Sequence, residues 1–566
     1  MRLPNERRSA GETTLVFDLL TTHADAGESE VEIWLRARAH VHHDHHRHKR
    51  ERSVNDGAKW SQSQGPRHRA RLSAVIRFSR RRLLSLAAVL ATRGAARAAP
   101  SDVVYLEPSD ADYERRRQPF AKRIRHRPAV IAVCRSEAGV QGAIAEARRR
   151  KLPIALRSGG HSFEGFCINE GGLVLDLSEL AGLSLAGGTL TAGPGARLGR
   201  VYDFLGARER WLPAGSCAGV GLGGLTLGGG YGFWSRELGL TCDSLTRVRV
   251  VDSAGAVHDS QSDPELLWAC RGGGTASFGA VTHLELTTHP LPPKFATWRF
   301  RYKNLEPDKS VELAERWFTS MAHLPRTGFS AFVLHPHSAV ILVTDSAGGA
   351  PAAVLDALGE DAAGPPETRT EPTPRAVKRF AAGLAPEYFK NVTAGYYDTF
   401  AELRDVLPRV LERMSRGPGM LFQINTMGGA ISDPAREPTA AYPHRGASFL
   451  GELQSYYETP KREAAAHAAV RDIQALLATA GIHRHYSNYP DADLPDWATA
   501  YYGPSLDRLR AHFAPKMQAT PDANAFAVVT QNIDSQGLAF RETAAKLASV
   551  STLEAFMKDF KTKYTY

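Results

Sequence analysis

Two glycine-dense stretches, each carrying one nucleophilic side chain, restrict the fold of this chain more than any other feature. The first, at 157–165, reads Arg-Ser-Gly-Gly-His-Ser-Phe-Glu-Gly and directly follows a short apolar segment. The second, at 212–232, carries Cys217 and includes three consecutive glycines at 228–230. Glycine permits sharp backbone turns and lets main-chain N–H groups approach phosphate oxygens closely. Both stretches are therefore predicted to be loops that pack against a flat or anionic ligand.

Each stretch has an ordinary explanation when it is considered alone. His161 could be a surface residue on a glycine turn, and Cys217 could be a small buried apolar side chain. A single Gly-x-Gly-Gly sequence is weak evidence for a nucleotide site. The pair is more specific, because an imidazole and a thiol about 55 residues apart each lie in a glycine-dense loop.

Hydrophobic periodicity predicts alternating strands and helices around the first loop. Ser136 can cap a helix in which Val140, Ile144 and Ala147 recur at helical spacing. Short apolar runs predict buried strands at 129–133, 154–156, 173–175 and 246–251. This pattern indicates mixed α and β structure on both sides of the first loop.

The pattern changes near residue 296. Trp298, Phe300 and Tyr302 alternate with arginines, which is typical of a half-buried strand. The alanine-rich residues 461–480 predict a long helix. A second domain of different texture is therefore expected in the later part of the chain.

Charge and cysteine content exclude several classes of protein. The formal charge of the 566 residues is +10, but residues 1–100 hold 19 Lys/Arg and 10 Asp/Glu, so the remainder is nearly neutral. Phosphate binding needs concentrated cationic surface, so no nucleic-acid partner is predicted. The five cysteines form no Cys-x-x-Cys pair, which argues against a disulfide framework and predicts no metal site.

Residues 1–99 read as material outside the folded domains. Residues 1–78, including the histidine-rich tract at 40–48, are predicted to be a disordered extension or sequence upstream of the true start; the tract could alternatively chelate metal. Residues 79–99 combine Ser-Arg-Arg-Arg-Leu-Leu, a short apolar run and small residues. This pattern is typical of a twin-arginine-like signal peptide and is too short for a permanent membrane span, although a basic amphipathic helix would look similar. We expect export from a bacterium by the twin-arginine machinery to the periplasm or beyond.

Together, the two loops resemble those of the berberine bridge enzyme-like family of FAD-linked oxidases, within the vanillyl-alcohol oxidase (PCMH-type FAD-binding) superfamily. The resemblance covers about residues 100–515. It implies an α+β fold with a two-part PCMH-type FAD-binding domain, formed by residues 100–290 and 481–520. An α+β substrate domain, an antiparallel sheet covered by helices, is inserted between them at 291–480. The tail at 521–566 has no counterpart.

The resemblance also implies how the cofactor is held. In the family, the histidine of Arg-Ser-Gly-Gly-His is bonded to the flavin 8α-methyl group and the cysteine of Ala-Gly-x-Cys to flavin C6; here these are His161 and Cys217. The implied cofactor is FAD held by an 8α-histidyl and a 6-S-cysteinyl bond. The other cofactor-binding positions that the resemblance implies are Arg157, Ser158, Gly159, Gly160, Ser162, Gly215, Gly221, Gly223, Gly224, Gly228, Tyr231, Gly232, Asp243, Val281, Asn488 and Tyr489. The family has asparagine where this chain has Ser277, which alters one polar contact.

Three residues are implied in the reaction itself. Tyr486 matches the tyrosine before Asn-Tyr in carbohydrate-oxidising relatives and is the candidate base for the hydroxyl proton. A free phenol has a pKa of about 10, so it needs help from a cation or from the flavin; alternatively, Tyr486 is a packed aromatic with a satisfied hydroxyl. Gln454 is expected to hydrogen-bond the flavin or the substrate. Lys390 either tunes the site or is an exposed lysine.

The expected function is that of an exported FAD-dependent oxidase of an alcohol, preferably a carbohydrate or oligosaccharide. Hydride passes to flavin N5, and dioxygen reoxidises the flavin to give hydrogen peroxide. One alternative is a flavin oxidoreductase of a secondary metabolite or aromatic alcohol, and another is a dehydrogenase with poor dioxygen reactivity. A flavin-binding protein without turnover, or a secreted metal-binding protein that uses the histidine tract, is the alternative from another class.

Overall fold

The structure of the protein is a computed structural model. It describes residues 13–23, 30–41, 73–79, 101–274, 279–381, 385–511 and 528–529. The chain divides into two compact units, Met1–Pro100 and Ser101–Tyr566. The first unit contains an antiparallel sheet of three strands, Thr13–His23, Glu30–Val41 and Ser73–Ser79. The rest of the predicted disordered extension and of the predicted export signal lies outside the described residues.

The second unit begins with a mostly parallel five-stranded sheet. Its strands, in spatial order, are Val528–Val529, Ile154–Arg157, Leu173–Asp176, Val130–Cys134 and Val103–Leu106. Only the Val103–Leu106 strand runs antiparallel to its neighbour. The helix Glu137–Arg150 packs on this sheet through the predicted positions Val140, Ile144 and Ala147, which are buried. Ser136 caps the helix as predicted, because its Oγ accepts a hydrogen bond from Gly139 N.

An antiparallel five-stranded sheet follows. Its strands, in spatial order, are Val257–Asp259, Leu245–Val251, Ala280–Thr287, Thr189–Ala192 and Leu183–Ala186. A short ladder joins Arg210–Trp211 to His289–Pro290. The helices in this region are Leu198–Gly206, Leu222–Leu227, Ser235–Leu238 and Pro264–Cys270. The buried Trp211 and Trp234 fill the core between these elements.

The largest sheet has seven antiparallel strands. Their spatial order is Glu367–Pro372, Lys294–Lys303, Ser338–Asp345, Gly328–His335, Met420–Thr426, Phe449–Tyr456 and Phe389–Tyr397. Long helices cover one face: Pro307–Ser320, Ala352–Gly359, Leu407–Ser415 and Glu463–Thr479. The predicted α+β class, with an antiparallel sheet covered by helices, is confirmed, and Glu463–Thr479 is the helix predicted at 461–480.

Alternation along the seven strands divides their side chains between two environments. Phe300, Phe332, Phe422 and Leu453 point into the core beneath the helices. The residues next to them in sequence face the opposite side, because successive strand side chains point to opposite faces. This second face of the sheet forms one wall of the cavity described below.

After Glu463–Thr479 the chain returns to the glycine loops. The segment 485–491 crosses between the seven-stranded sheet and these loops, and the helix Trp497–Tyr502 follows it. The remaining short helices are Tyr113–Arg117, Thr241–Ser244, Met321–His323, Thr373–Phe380, Ala401–Arg404, Pro434–Thr439, Pro460–Arg462 and Gly503–Ser505. In the parts of the chain that are described, no helix is long and apolar enough to cross a bilayer.

Candidate active site

The two predicted glycine loops lie directly against each other. A Cβ atom on Gly159 would come within 2.2 Å of Gly221 N, and one on Gly221 within 2.1 Å of Ser158 Oγ. No side chain fits at either position, so the loops pack backbone to backbone. Gly160, with φ of +75°, then turns the first loop so that His161 follows it into the cavity.

A cavity of about 450 Å³ opens between these loops and the seven-stranded sheet. This volume is within the usual range for a small-molecule site. The glycine loops contribute His161 and Cys217 to its lining, and the returning segment contributes Tyr486, Asn488 and Tyr489. The two predicted attachment residues and the predicted base therefore open onto one cavity.

His161 is held as a neutral imidazole. Its ring stacks on Phe120, with centroids 4.3 Å apart and an interplanar angle of 14°. Burial, together with the nearby charges of Arg197 and Arg157, lowers the pKa of His161 to about 4. The Arg157 guanidinium donates to the carbonyls of Arg117 and Gln118, which fixes it behind the loop. At neutral pH, the imidazole therefore keeps a free lone pair.

Cys217 is a half-buried thiol on the second loop. Burial raises the pKa of its thiol to about 11, and the negative charge of Glu452 acts in the same direction. The loop is held by Tyr202, whose hydroxyl donates to the carbonyl of Gly215 at 2.6 Å. At neutral pH the sulfur is protonated, so reaction at Cys217 requires removal of a proton.

The hydroxyl of Tyr486 already accepts two hydrogen bonds. Gly230 N donates to it at 2.9 Å and Asn488 Nδ2 at 3.0 Å. These donors would stabilise a phenolate, but burial outweighs them and raises the pKa of Tyr486 well above its ordinary value. Tyr486 is thus a buried, satisfied aromatic at the cavity wall, and its role as a base stays a prediction.

A chain of hydrogen bonds runs along the cavity beside Tyr486. Asn425 Nδ2 donates to the hydroxyl of Tyr231 at 3.0 Å, and the hydroxyls of Tyr231 and Tyr489 lie 2.6 Å apart. Asn391 Nδ2 donates to the carboxyl of Glu452 at 2.6 Å. Burial raises the pKa of Glu452 to about 7, and the neighbouring Asn391, Tyr489 and Gln454 only partly oppose this.

Sequence reasoning missed the polar row on the cavity face of the sheet. The row consists of Asn391, Gln423, Asn425, Glu452 and Gln454, all of which line the cavity. Gln454 alone was predicted. Strand alternation was the available signal, because Glu452 lies two residues before Gln454 and so shares its face.

Several predicted site residues lie outside the cavity lining. Lys390 is fully buried rather than exposed, and its ammonium lies 2.7 Å from Glu164 and 3.3 Å from Asp491. Asp243 forms ion pairs with Arg445 and Arg436. The other predicted positions outside the lining are Arg157, Gly223, Gly228 and Val281.

The remaining predicted residues all come together in the lining. They are Ser158, Gly159, Gly160, His161, Ser162, Gly215, Cys217, Gly221, Gly224, Tyr231, Gly232, Gln454, Tyr486, Asn488 and Tyr489. These residues fit FAD, because glycine-rich backbone and two nucleophiles line one cavity of about 450 Å³. The geometry therefore suits a flavin placed between the loops and the polar row.

Two protein families match this chain. Residues 128–261 match the FAD binding domain family, and residues 485–511 match the family of berberine and berberine-like proteins. The first match covers the first glycine loop and the following loop with Cys217, and the second covers Tyr486, Asn488 and Tyr489. Both matches thus fall on segments that line the cavity.

Individual relatives agree with these matches. The chain is 29% identical over 422 residues to the uncharacterised FAD-linked oxidoreductase YgaK of Bacillus subtilis, covering 71% of this chain and 91% of YgaK. It is 27% identical over 472 residues to a carbohydrate oxidase of Microdochium nivale, covering 74% and 92%. The solved structure of a chitooligosaccharide oxidase superposes with a TM-score of 0.66 at 25% identity, covering 73% of this chain and 95% of that one. The chain is therefore an FAD-linked oxidoreductase that is similar to members of the berberine bridge enzyme-like family.

Proposed function

We propose that this protein is an exported oxidase of a carbohydrate or oligosaccharide alcohol, with FAD attached to both His161 and Cys217. The observation that carries the proposal is the polar row on the cavity face of the seven-stranded sheet, opposite the two nucleophiles. This arrangement leaves room for a flavin at the loops and for a hydroxylated substrate at the sheet.

The polar row suits a substrate with several hydroxyl groups. The side-chain amides of Asn391, Gln423, Asn425 and Gln454 each offer both donors and acceptors. Among the described residues, Asn391 Oδ1 is buried without a hydrogen-bond partner. A substrate hydroxyl that donates to this oxygen would satisfy it, and an unsatisfied buried acceptor otherwise costs about 1–3 kcal/mol.

The two attachment residues differ in their protonation state at pH 7. His161 is neutral at pH 7 and can act as a nucleophile directly, whereas Cys217 must first lose its proton. Bound FAD supplies the two-electron acceptor that no protein side chain provides. The residues of this chain position the substrate against it, take up the hydroxyl proton and exclude water.

Relatives support the choice of a sugar. One is named a carbohydrate oxidase and another, among solved structures, a chitooligosaccharide oxidase. A second candidate function is supported by the other end of the same cavity. That end is lined by Phe233, Phe329 and Phe380 together with Val340 and Leu342. These side chains favour an apolar group, so oxidation of an aromatic alcohol or of a secondary metabolite is the alternative.

A substrate panel tests the proposal. Purified protein is mixed with mono- and oligosaccharides, aryl alcohols and aryl glycosides, and hydrogen peroxide release is measured. The proposal expects turnover of sugars in air. Turnover of aryl alcohols alone would establish the alternative. Turnover with an artificial electron acceptor, but without peroxide in air, would identify a dehydrogenase.

Export is tested separately. Residues 1–100 are fused to a folded reporter and produced in bacteria that contain or lack the twin-arginine machinery. Export is expected only where the machinery is present, and replacement of Arg80 and Arg81 by lysine is expected to block it. Export of the reporter by the strain that lacks the machinery would contradict this assignment.

A further inference from the structure

We propose that Glu452, and not Tyr486, is the catalytic residue that takes the hydroxyl proton of the substrate. This inference rests on the proposed function, since it concerns the same alcohol oxidation at the same cavity. It depends on the position of Glu452 in the cavity lining and on the neutral groups that surround its buried carboxyl.

Glu452 is a buried acid that faces the cavity. It lies on the strand Phe449–Tyr456, where Thr393 and Gln423 are its partners on the two flanking strands. Its side chain is 5% exposed, yet it contributes to the cavity lining. Buried carboxylates are usually paired with a cation, whereas Glu452 accepts a hydrogen bond from the neutral Asn391 and has the neutral Tyr489 and Gln454 as neighbours.

The carboxylate of Glu452 can only accept hydrogen bonds. Asn391 Nδ2 donates to its Oε1 at 2.6 Å. The hydroxyls of Tyr231 and Tyr489, 2.6 Å apart, and Asn425 Nδ2, which donates to Tyr231, continue the polar lining of the cavity. Glu452 is therefore an acceptor in the cavity wall, to which a substrate hydroxyl can donate.

Tyr486 is less suited to the same task. Its oxygen is already occupied by the N–H groups of Gly230 and Asn488, and burial keeps the phenol protonated. A base must be unprotonated before it can act, and the most effective base titrates near the working pH. The pKa of Glu452, about 7, meets this condition, while the raised pKa of Tyr486 does not.

The step balances as a two-electron oxidation. The substrate carbon gives up its hydrogen with both electrons to bound FAD, and the C–O bond becomes a carbonyl. The O–H bond breaks at the same time, and its proton goes to the Glu452 carboxylate. Dioxygen would then take the two electrons, together with the proton on the reduced flavin and the proton held by Glu452, and leave as hydrogen peroxide.

Four titratable side chains face Glu452. Tyr231, Tyr489 and Cys217 face it from the glycine loops and the returning segment, and Tyr456 faces it from its own strand. All four are neutral at pH 7, because burial raises the pKa of each. Of these five groups, Glu452 alone has a pKa near 7.

The first test uses the spectrum of the resting holoenzyme. Flavin absorbance responds to a charge that appears beside the ring, so wild type is expected to titrate with an inflection near pH 7 (about 7 for Glu452). Glu452→Gln is expected to lose this inflection. Glu387→Gln, which changes the other glutamate of the lining, is expected to keep it. An inflection that persists in Glu452→Gln would overturn the assignment.

The second test measures flavin reduction by the best alcohol from the panel, mixed rapidly without oxygen. Glu452→Gln is expected to lower the rate roughly 10²–10⁴-fold while the dissociation constant of the ketone or lactone product changes less than about threefold. Tyr486→Phe is expected to lose less than about tenfold. The reverse order of the two losses would overturn the inference and restore Tyr486 as the base.

A third variant guards against misfolding. Asn391→Ala removes the donor that contacts the carboxylate at 2.6 Å, so it should move the spectral inflection to higher pH without abolishing reduction. An unchanged inflection in a folded Asn391→Ala protein would contradict the assignment of the inflection to Glu452. If none of the alcohols in the panel reduces the flavin of wild type, the proposed function itself fails. If wild type and Glu452→Gln are reduced by the alcohol at the same rate, only the assignment of Glu452 as the base is overturned.

Discussion

The ammonium of Lys390 lies 2.7 Å from the carboxylate of Glu164, although 226 residues separate them in the chain. The same ammonium lies 3.3 Å from Asp491. Glu164 belongs to the loop that carries His161, and Asp491 ends the segment that carries Tyr486. Lys390 therefore ties one strand of the large sheet to the first glycine loop and to the returning segment 485–491.

Loss of this ammonium is predicted to destabilise the protein. Lys390→Met leaves the buried carboxylates of Glu164 and Asp491 with reduced compensation, which is expected to cost about 3–5 kcal/mol in the free energy of unfolding. Lys378→Met is the control, because the Lys378–Asp203 pair is 68% and 61% exposed and is worth less than about 1 kcal/mol. Urea denaturation measures both. Equal losses in the two variants would contradict a structural role for Lys390.

A second prediction concerns the contact between the glycine loops. Gly159→Ala would place a Cβ atom 2.2 Å from Gly221 N, so the loops must separate and FAD loading should fall at least tenfold, about 1.4 kcal/mol or more. Gly142→Ala is the matched control, since nothing lies within 4 Å of its added Cβ. Alanine there should stabilise the helix by about 0.5–1 kcal/mol. Flavin content per protein and the melting temperature report the two effects; full loading of Gly159→Ala would refute the packing argument.

Covalent attachment is predicted to survive the loss of either nucleophile. Cys217→Ala should keep its flavin through His161 after acid precipitation, and His161→Ala should keep it through Cys217. The double variant should release it. Absorbance of the pellet and the intact mass of each protein provide the measurement. Release of flavin from wild type under the same treatment would show that neither bond exists.

The rate of covalent flavin attachment should depend on pH in His161→Ala but not in Cys217→Ala. With the pKa of the Cys217 thiol at about 11, attachment in His161→Ala should accelerate about tenfold per pH unit between roughly pH 7 and 9. With the pKa of His161 at about 4, attachment in Cys217→Ala should stay nearly constant over this range. The time course of flavin retention after adding FAD to apoprotein distinguishes the two. Parallel profiles would contradict the assigned protonation states.

Stability should also depend on pH through Glu452. Its pKa in the folded protein, about 7, lies above the ordinary value, so folding favours the protonated form. The resulting stability is fully present below about pH 4.5 and is lost as the pH rises through 7, a loss on the order of 3 kcal/mol. Glu452→Gln lacks this dependence. The free energy of unfolding of the variant should therefore rise relative to that of wild type between about pH 4.5 and 8. Urea denaturation across that range measures the gap, and a constant gap would contradict the burial of an ionisable acid.

Local signals predicted much of the fold. The cap at Ser136 identified the helix Glu137–Arg150. Three of the short apolar runs identified the parallel strands, because buried parallel strands are continuously hydrophobic. The alternation at Trp298, Phe300 and Tyr302 identified a strand of the large sheet. The order of the seven strands was not available in this way, since pairing partners lie far apart in sequence and no local pattern encodes them.

In the candidate site, too, local sequence predicted some residues, whereas others depend on contacts between distant segments. His161 and Cys217 were predictable because each lies in a glycine loop whose composition identifies it. Glu452 was missed because a single acid in a strand is ordinary until the sheet places it opposite the loops. Lys390 was assigned to the site or to the surface, because its burial depends on two carboxylates from distant segments.

Alternation in the large sheet has an evolutionary consequence. Neighbouring residues such as Phe422 and Gln423 are under different constraints, because Phe422 packs in the core beneath the helices and Gln423 lines the cavity. Exchanges at Gln423, Asn425 and Gln454 can therefore accumulate without disturbing the helices on the far side. Members of a lineage built on this sheet can diverge in the compounds they oxidise while the scaffold remains unchanged.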